Sequence, residues 1–254
     1  MKKVISYFIL LMLMAACVQK PAPRERQNEA ITIQQNEPGD STIYGLACDG
    51  CTDSILILLP YSGGDPDTFD IIDAQESHQI FGRLNIGDDI AVILNPEDKN
   101  EALMIINLEK LKGQWCYMVT PTLKRIDKMP EKMQRRMLER IPDSVKERFM
   151  KPREYGFRIK QGHAVQAIGN VARRDIYADR MSPVEYPRQR RYREWKLYNG
   201  KLILKTDSIT IPNSTKRGKP EYDTAVIKQL RRDTLVLQFK DHEQQYYRKK
   251  DTEE

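Results

Sequence analysis

The chain has 254 residues, 40% hydrophobic and 31% charged, with 42 lysines and arginines against 36 acidic side chains and a net charge of +6. So mild an excess does not by itself mark a nucleic-acid partner. The length suffices for the core of one large domain or two small ones.

Lys2 and Lys3 form a short positive segment, and Val4 to Ala16 then runs 13 residues without a charge. Such a run is too short to cross a hydrocarbon layer of about 30 Å as a helix, but it suits the apolar region of a signal peptide. Ala15 and Ala16 are small enough for a peptidase to approach the backbone, and Cys17 stands where the apolar run ends. The pattern Met14-Ala15-Ala16-Cys17 resembles the lipobox of bacterial lipoproteins, with Met where Leu is more usual. The resemblance implies that residues 1–16 are a lipoprotein signal peptide and that Cys17 becomes the lipid attachment site. An ordinary signal peptide with a cysteine beside its cleavage site is the alternative. Acyl chains contribute about 0.8 kcal/mol per buried methylene. The mature chain is therefore expected to meet the membrane through its N-terminal acyl chains and to be otherwise soluble. Loss of residues 1–16 removes two lysines and no acids, leaving a net charge of +4.

Residues 17–40 are rich in Pro, Gln, Asn, Glu and Arg and read as a flexible tether. As a random coil, the 23 residues from Val18 to Asp40 span about 26 Å on average. From Ser41 the chain changes to short apolar runs broken by turn residues, the habit of antiparallel β proteins. Strands are expected over Ser54–Leu59, Asp89–Leu94 and Ala102–Asn107, so residues 41–108 read as a small β-domain.

The second block, residues 109–250, opens on Gln114–Val119, whose alternation puts Trp115, Tyr117 and Val119 on one face. Pro130 to Met150 is helix-like, with a second start at Pro142-Asp143-Ser144 because Pro142 cannot continue the first helix. Met133, Met137, Leu138 and Ile141 would form an apolar stripe on the first helix, and Val145 with Phe149 one on the second. Methionines usually fill irregular cores; a lid over an apolar pocket is the sharper reading. Between Pro121 and Gly162 there are 13 basic and 6 acidic residues, which suits a solvated helix or a dock on anionic lipid. Ala164–Val171 is a further strand candidate. Asn199-Gly200 predicts a two-residue type I′ turn pairing Leu197 with Leu202 and Trp195 with Leu204. Leu235, Leu237 and Phe239 repeat the alternation.

Cys48-Asp49-Gly50-Cys51 brings two thiols close together. In an oxidising envelope a structural disulfide is the first reading. A redox pair would want a following helix to lower a thiol pKa, whereas a strand follows here. A metal site would need two more ligands, drawn from Cys116 and the scattered His78, His163 and His242. Two free thiols complete the alternatives. No Gly-x-Ser-x-Gly or His-Glu-x-x-His frame surrounds a nucleophile or metal. No catalytic residue, metal or cofactor is therefore assigned, and the protein is not expected to be an enzyme. Arg188, Arg190, Arg191 and Arg193 lie among Tyr186, Tyr192 and Trp195. Such interleaving can bind nucleic acid, but in an exported protein it reads as a solvated face or a contact with anionic headgroups.

Leu111-Lys112-Gly113-Gln114-Trp115 resembles the Gly-x-Trp start of a lipocalin-like barrel. The strands over Trp195–Leu204, Asp233–Phe239 and Tyr246–Arg248 look like the carboxy-terminal hairpins of lipocalin-like bacterial lipoproteins, and Tyr44 to Cys51 is similar to the opening of that group. The resemblance implies a mainly β fold: a small N-terminal β-domain, then an antiparallel lipocalin-like barrel with a short helical insert near residues 130–150. It also implies that Trp115 closes one barrel end against a basic residue, for which Arg248 is the candidate.

From the resemblance follows the expected function, uptake of a small hydrophobic or amphipathic molecule, with a wall of Trp115, Tyr117, Leu202, Leu204, Leu235 and Leu237. The same six residues would line a solid core. In that alternative the protein is a structural or interaction lipoprotein with a packed barrel and an unidentified protein partner. No nucleic-acid partner is expected. Val18-Gln19-Lys20-Pro21 lacks the acids that send some lipoproteins to the cell surface, so the expected place is the outer membrane, facing the periplasm.

Overall fold

The computed structural model describes residues 38–124, 128–169, 183–187, 189–206 and 219–250. The leader, Cys17, the tether as far as residue 37, and Arg188 lie outside the described residues, as do residues 170 and 171 of the strand expected over Ala164–Val171. Gln34–Glu254 is one compact unit.

Turn residues cut the first block into β1 (Ile43–Ala47), β2 (Ile55–Pro60), β3 (Asp67–Asp70), the short helix α1 (Ile72–Glu76), β4 (Ile80–Phe81), β5 (Asp89–Leu94) and β6 (Ala102–Asn107). They make a six-stranded sheet in the order β3-β2-β1-β5-β6-β4. Only the two-residue β4 runs parallel to its neighbour. The period of two assigns the faces. Ala47, Leu56, Leu58, Ile90, Val92 and Ile105 build one core with Phe69 and Ile71. Tyr44, Ala91 and Ile106 point the other way, into a core shared with the second sheet. A strand covered on both sides reads as an unbroken apolar run, which is why Asp89–Leu94 stood out.

The second sheet starts after α2 (Leu108–Leu111) with β7 (Gly113–Val119) and β8 (Thr122–Leu123). Two helices follow, α3 (Glu131–Glu139) and α4 (Asp143–Phe149), with Pro130 and Pro142 at their N-caps. There a fixed φ and a missing N–H cost little. Then come β9 (Arg153–Ile159), β10 (Val165–Ile168), β11 (Val184–Glu185), β12 (Tyr192–Tyr198), β13 (Lys201–Thr206), β14 (Tyr222–Leu230), β15 (Thr234–Gln238) and β16 (Glu243–Lys249). β8 pairs with β11. Eight others lie in the order β10-β9-β7-β16-β15-β14-β13-β12. The two edges meet at the bridge between Ala164 and Glu194, beside which the Trp195 amide donates to the His163 carbonyl at 2.8 Å. The result is a nearly closed antiparallel barrel.

Local chemistry sets the register. Asn199 and Gly200 hold φ of 46° and 74°, the left-handed pair a type I′ turn requires. Leu197 then pairs with Leu202 and Trp195 with Leu204, and all four are buried. Leu235, Leu237 and Phe239 are buried as well. A bulge between Tyr192 and Glu194 adds one residue to β12. Tyr192 and Trp195, three positions apart, therefore both face inward.

The methionine stripe departs from its default reading. No residue of α3 is buried, and Met133, Met137 and Leu138 are 56%, 46% and 39% exposed. Among the described residues they fill no core: the insert between β8 and β9 keeps this stripe exposed.

Candidate ligand-binding site

The barrel has one packed end, built around Trp115. Its indole is fully buried and donates from Nε1 to the Leu111 carbonyl at 2.8 Å. Trp115 and Arg248 are cross-strand partners on β7 and β16. The Arg248 guanidinium carbon stands 4.1 Å from the indole centroid. Its nitrogens donate to the carbonyls of Arg232 at 2.7 Å, Lys112 at 2.8 Å and Lys110. Gly113 is required here twice over. Its φ of 122° disfavours any side chain, and a Cβ would run into the Arg248 guanidinium. The spacing Gly113-Gln114-Trp115 thus has a physical cause: the glycine opens the space from which the arginine covers the tryptophan. Tyr44, Phe81, Ala91, Ile106, Leu108 and Leu111 share one buried cluster with Trp115, so the first block seals this end.

The other end is open. β7 runs from Trp115 toward Val119, and β9, β12, β14 and β16 all begin where β7 ends. A cavity of about 440 Å³ lies among their ends. Tyr117, Tyr246, Phe157 and Tyr192 form an aromatic wall, in edge contact with centroids 5.3, 5.1 and 5.9 Å apart in that sequence. Gln189, Arg190, Asp223 and Gln244 form a polar wall, and Phe239 stacks on His242 at 5.0 Å beside it. The Tyr192 hydroxyl donates to Asp223 at 2.8 Å, and Arg190 pairs with the same carboxylate. Burial, together with the Asp223 bond, pushes the Tyr192 pKa well up. Burial also raises those of Tyr246 and Tyr117. The aromatic wall therefore stays uncharged while presenting hydroxyl groups.

Of the six expected wall residues, Tyr117 lines the cavity. Trp115, Leu202, Leu204, Leu235 and Leu237 are fully buried in the packed part below it. Residues that do line it, Asp223, Thr224 and Gln244 among them, gave no sequence signal because they are polar and lie on polar-looking strands. Arg190 and Tyr192 were visible only as members of the arginine-aromatic run.

Cys48 and Cys51 both stand as free thiols, the Ile57 amide donating to the Cys51 sulfur at 3.4 Å. Cys116 is buried and free, its thiol pKa raised chiefly by burial. Among the described residues no three His, Cys, Asp or Glu side chains are grouped to hold a metal. No helix among them is long and apolar enough to cross a membrane.

Residues 188–250 match a family model described as lipocalin-like. No curated protein matches. A crystal structure of a lipocalin-like protein from Bacteroides thetaiotaomicron matches at 21% identity, covering 55% of this chain and 97% of that one, with a TM-score of 0.30.

Proposed function

We propose that this lipocalin-like domain protein binds a small amphipathic molecule in the open mouth of its barrel while anchored to the cell envelope through Cys17. The observation that carries the reading is the mouth cavity, whose volume of about 440 Å³ suits a small ligand. An eight-strand barrel has width for one such molecule. The lining favours an amphipathic occupant over a purely apolar one. An aromatic wall for a hydrocarbon or ring portion faces donors and acceptors from Gln189, Arg190, Asp223 and Gln244.

The anchoring half rests on Met14-Ala15-Ala16-Cys17; two or more acyl chains carried by Cys17 would make the hold durable. The outer membrane, periplasmic side, is the place we assign to it. Titration with 1-anilinonaphthalene-8-sulfonate, an amphipathic fluorophore, tests the binding half. The folded chain should take up one equivalent with a blue shift, and Gln244→Trp, which fills the mouth, should abolish it. Equal uptake by the variant would show that the probe sits elsewhere and remove the support for the mouth.

A further inference from the structure

We infer that α3 is a membrane-docking helix for an anionic lipid surface, and that it turns the barrel mouth toward that surface. The starting observation is a helix that buries no residue against the described residues. α3 has nine residues and buries none of them. A helix of that length is marginal in water without an apolar partner, and among the described residues Met133, Met137 and Leu138 stay exposed.

The residue spacing makes the exposed stripe continuous. Met133 and Met137 stand one turn apart, Leu138 widens the same face, and half-buried Ile141 follows just past the helix end. Arg136 and Arg140 flank it on one side, with Lys132 and Arg135 beyond, against Glu131 and Glu139 on the same helix. All four basic side chains are exposed. An apolar stripe bordered by long cationic side chains is the pattern of a helix lying in a headgroup layer. The methylene stems follow the apolar face and the charges reach anionic phosphates. Each cation near such a surface contributes about 1 kcal/mol. A protein partner would instead need an apolar groove lined by acids. A bilayer is already expected within reach, since Cys17 precedes Pro38 by only 21 residues.

Position gives the helix its consequence. The insert leaves at the end of β7 and returns at the start of β9. Tyr117, Gly156 and Phe157 on those two strands line the mouth. The return is fixed at its foot: the Tyr186 hydroxyl donates to the Lys151 carbonyl at 2.6 Å, and the Arg153 guanidinium lies 3.8 Å over the Tyr186 ring. A docked α3 would therefore bring the cavity entrance to the bilayer, and the molecule it takes up would be one drawn from the membrane. That last consequence and the nearness of a bilayer through Cys17 rest on the proposed function; the exposed stripe and its cations do not.

The test is sedimentation of Gln34–Glu254, the compact unit lacking the acylated residue, with vesicles. One set contains phosphatidylglycerol and phosphatidylethanolamine, the other phosphatidylcholine alone. The unaltered unit should sediment with the anionic vesicles and much less with the neutral ones. Met133→Ser with Met137→Ser and Leu138→Ser should lower the bound fraction about tenfold. Lys132→Glu with Arg136→Glu and Arg140→Glu should abolish the preference for anionic lipid. Fluorophore uptake, measured on the same variants, should be unchanged, which also reports that the barrel is folded. Gln244→Trp should lose uptake and keep vesicle binding. No sedimentation of the unaltered unit, or undiminished sedimentation of the serine variant, overturns the docking. No fluorophore uptake by the unaltered unit, with sedimentation as expected, would overturn the ligand reading and leave the docking standing.

Discussion

Arg248 lies over the indole of Trp115, 4.1 Å from its centroid, and ties that ring to three backbone carbonyls at the packed end of the barrel. This one side chain joins β16 to both ends of the α2–β7 corner. Arg248→Ala should therefore destabilise the fold by about 2–4 kcal/mol, from the lost cation–π contact and charge-assisted hydrogen bonds. Gly113→Ala should also destabilise, since its Cβ would displace the same guanidinium. Urea unfolding of the two single variants and their double variant checks this. The account predicts that the double costs less than the two singles added.

The type I′ hairpin is pinned from outside the barrel. The Cβ of any residue at 200 would stand 2.6 Å from the Met104 sulfur, in addition to the strain of a φ of 74°. Gly200→Ala should cost about 1–3 kcal/mol. Adding Met104→Ala should recover part of that penalty, the part owed to contact with the first sheet. If thermal unfolding shows none recovered, the hairpin does not press on Met104.

A pH dependence follows from Asp88. Burial works to raise its pKa, but hydrogen bonds from Asn107, Asn85 and Lys110 outweigh it and hold the carboxyl below its ordinary 3.8. The unfolded chain therefore binds this proton more tightly than the folded one. The stability Asp88 contributes is present above that ordinary value and is lost as the pH falls through it toward the folded pKa. Asp88→Ala leaves the fully buried Asn107 amide without one acceptor, which should cost about 1–3 kcal/mol at neutral pH. Denaturant midpoints between neutral pH and pH ~3 should converge for the two proteins.

How much of this was legible in the sequence depended on where a local cause stood alone. Asn199-Gly200 dictated its register because positive φ at two successive positions has few solutions. Gly113, Trp115 and Arg248 could be grouped only through family resemblance, and the guanidinium over the ring supplies their physical reason. β9 escaped notice because Gly156 interrupts it and Arg153, Glu154 and Arg158 give it a polar look. The glycine is there because a Cβ would run into the Trp115 carbonyl. β14 escaped because its pairing shifts between Ile227 and Gln229, which breaks the period of two. The cavity lay beyond the apolar alternation for a similar reason. Alternation picks out leucines that pack solidly, whereas the mouth is lined by residues such as Gln244 and Asp223 that read as solvent-facing.

The leader carries its own prediction. Cells expressing the full chain in a diderm bacterium and fed labelled palmitate should incorporate label into this protein, and Cys17→Ser should abolish incorporation. Label retained on the variant would place the acyl chain elsewhere, and an unlabelled unaltered chain would return the leader to an ordinary signal peptide.

The central claim is that the mouth of the barrel holds a small amphipathic molecule, and native mass spectrometry tests it most directly. Gln34–Glu254 would be incubated with an envelope lipid extract, desalted and weighed intact, alongside Gln244→Trp. The account predicts a discrete added mass on the unaltered unit that is absent from the variant. A clean unliganded mass across extracts, or an adduct equally present on Gln244→Trp, would contradict it. The barrel would then be better read as a packed scaffold with a protein partner.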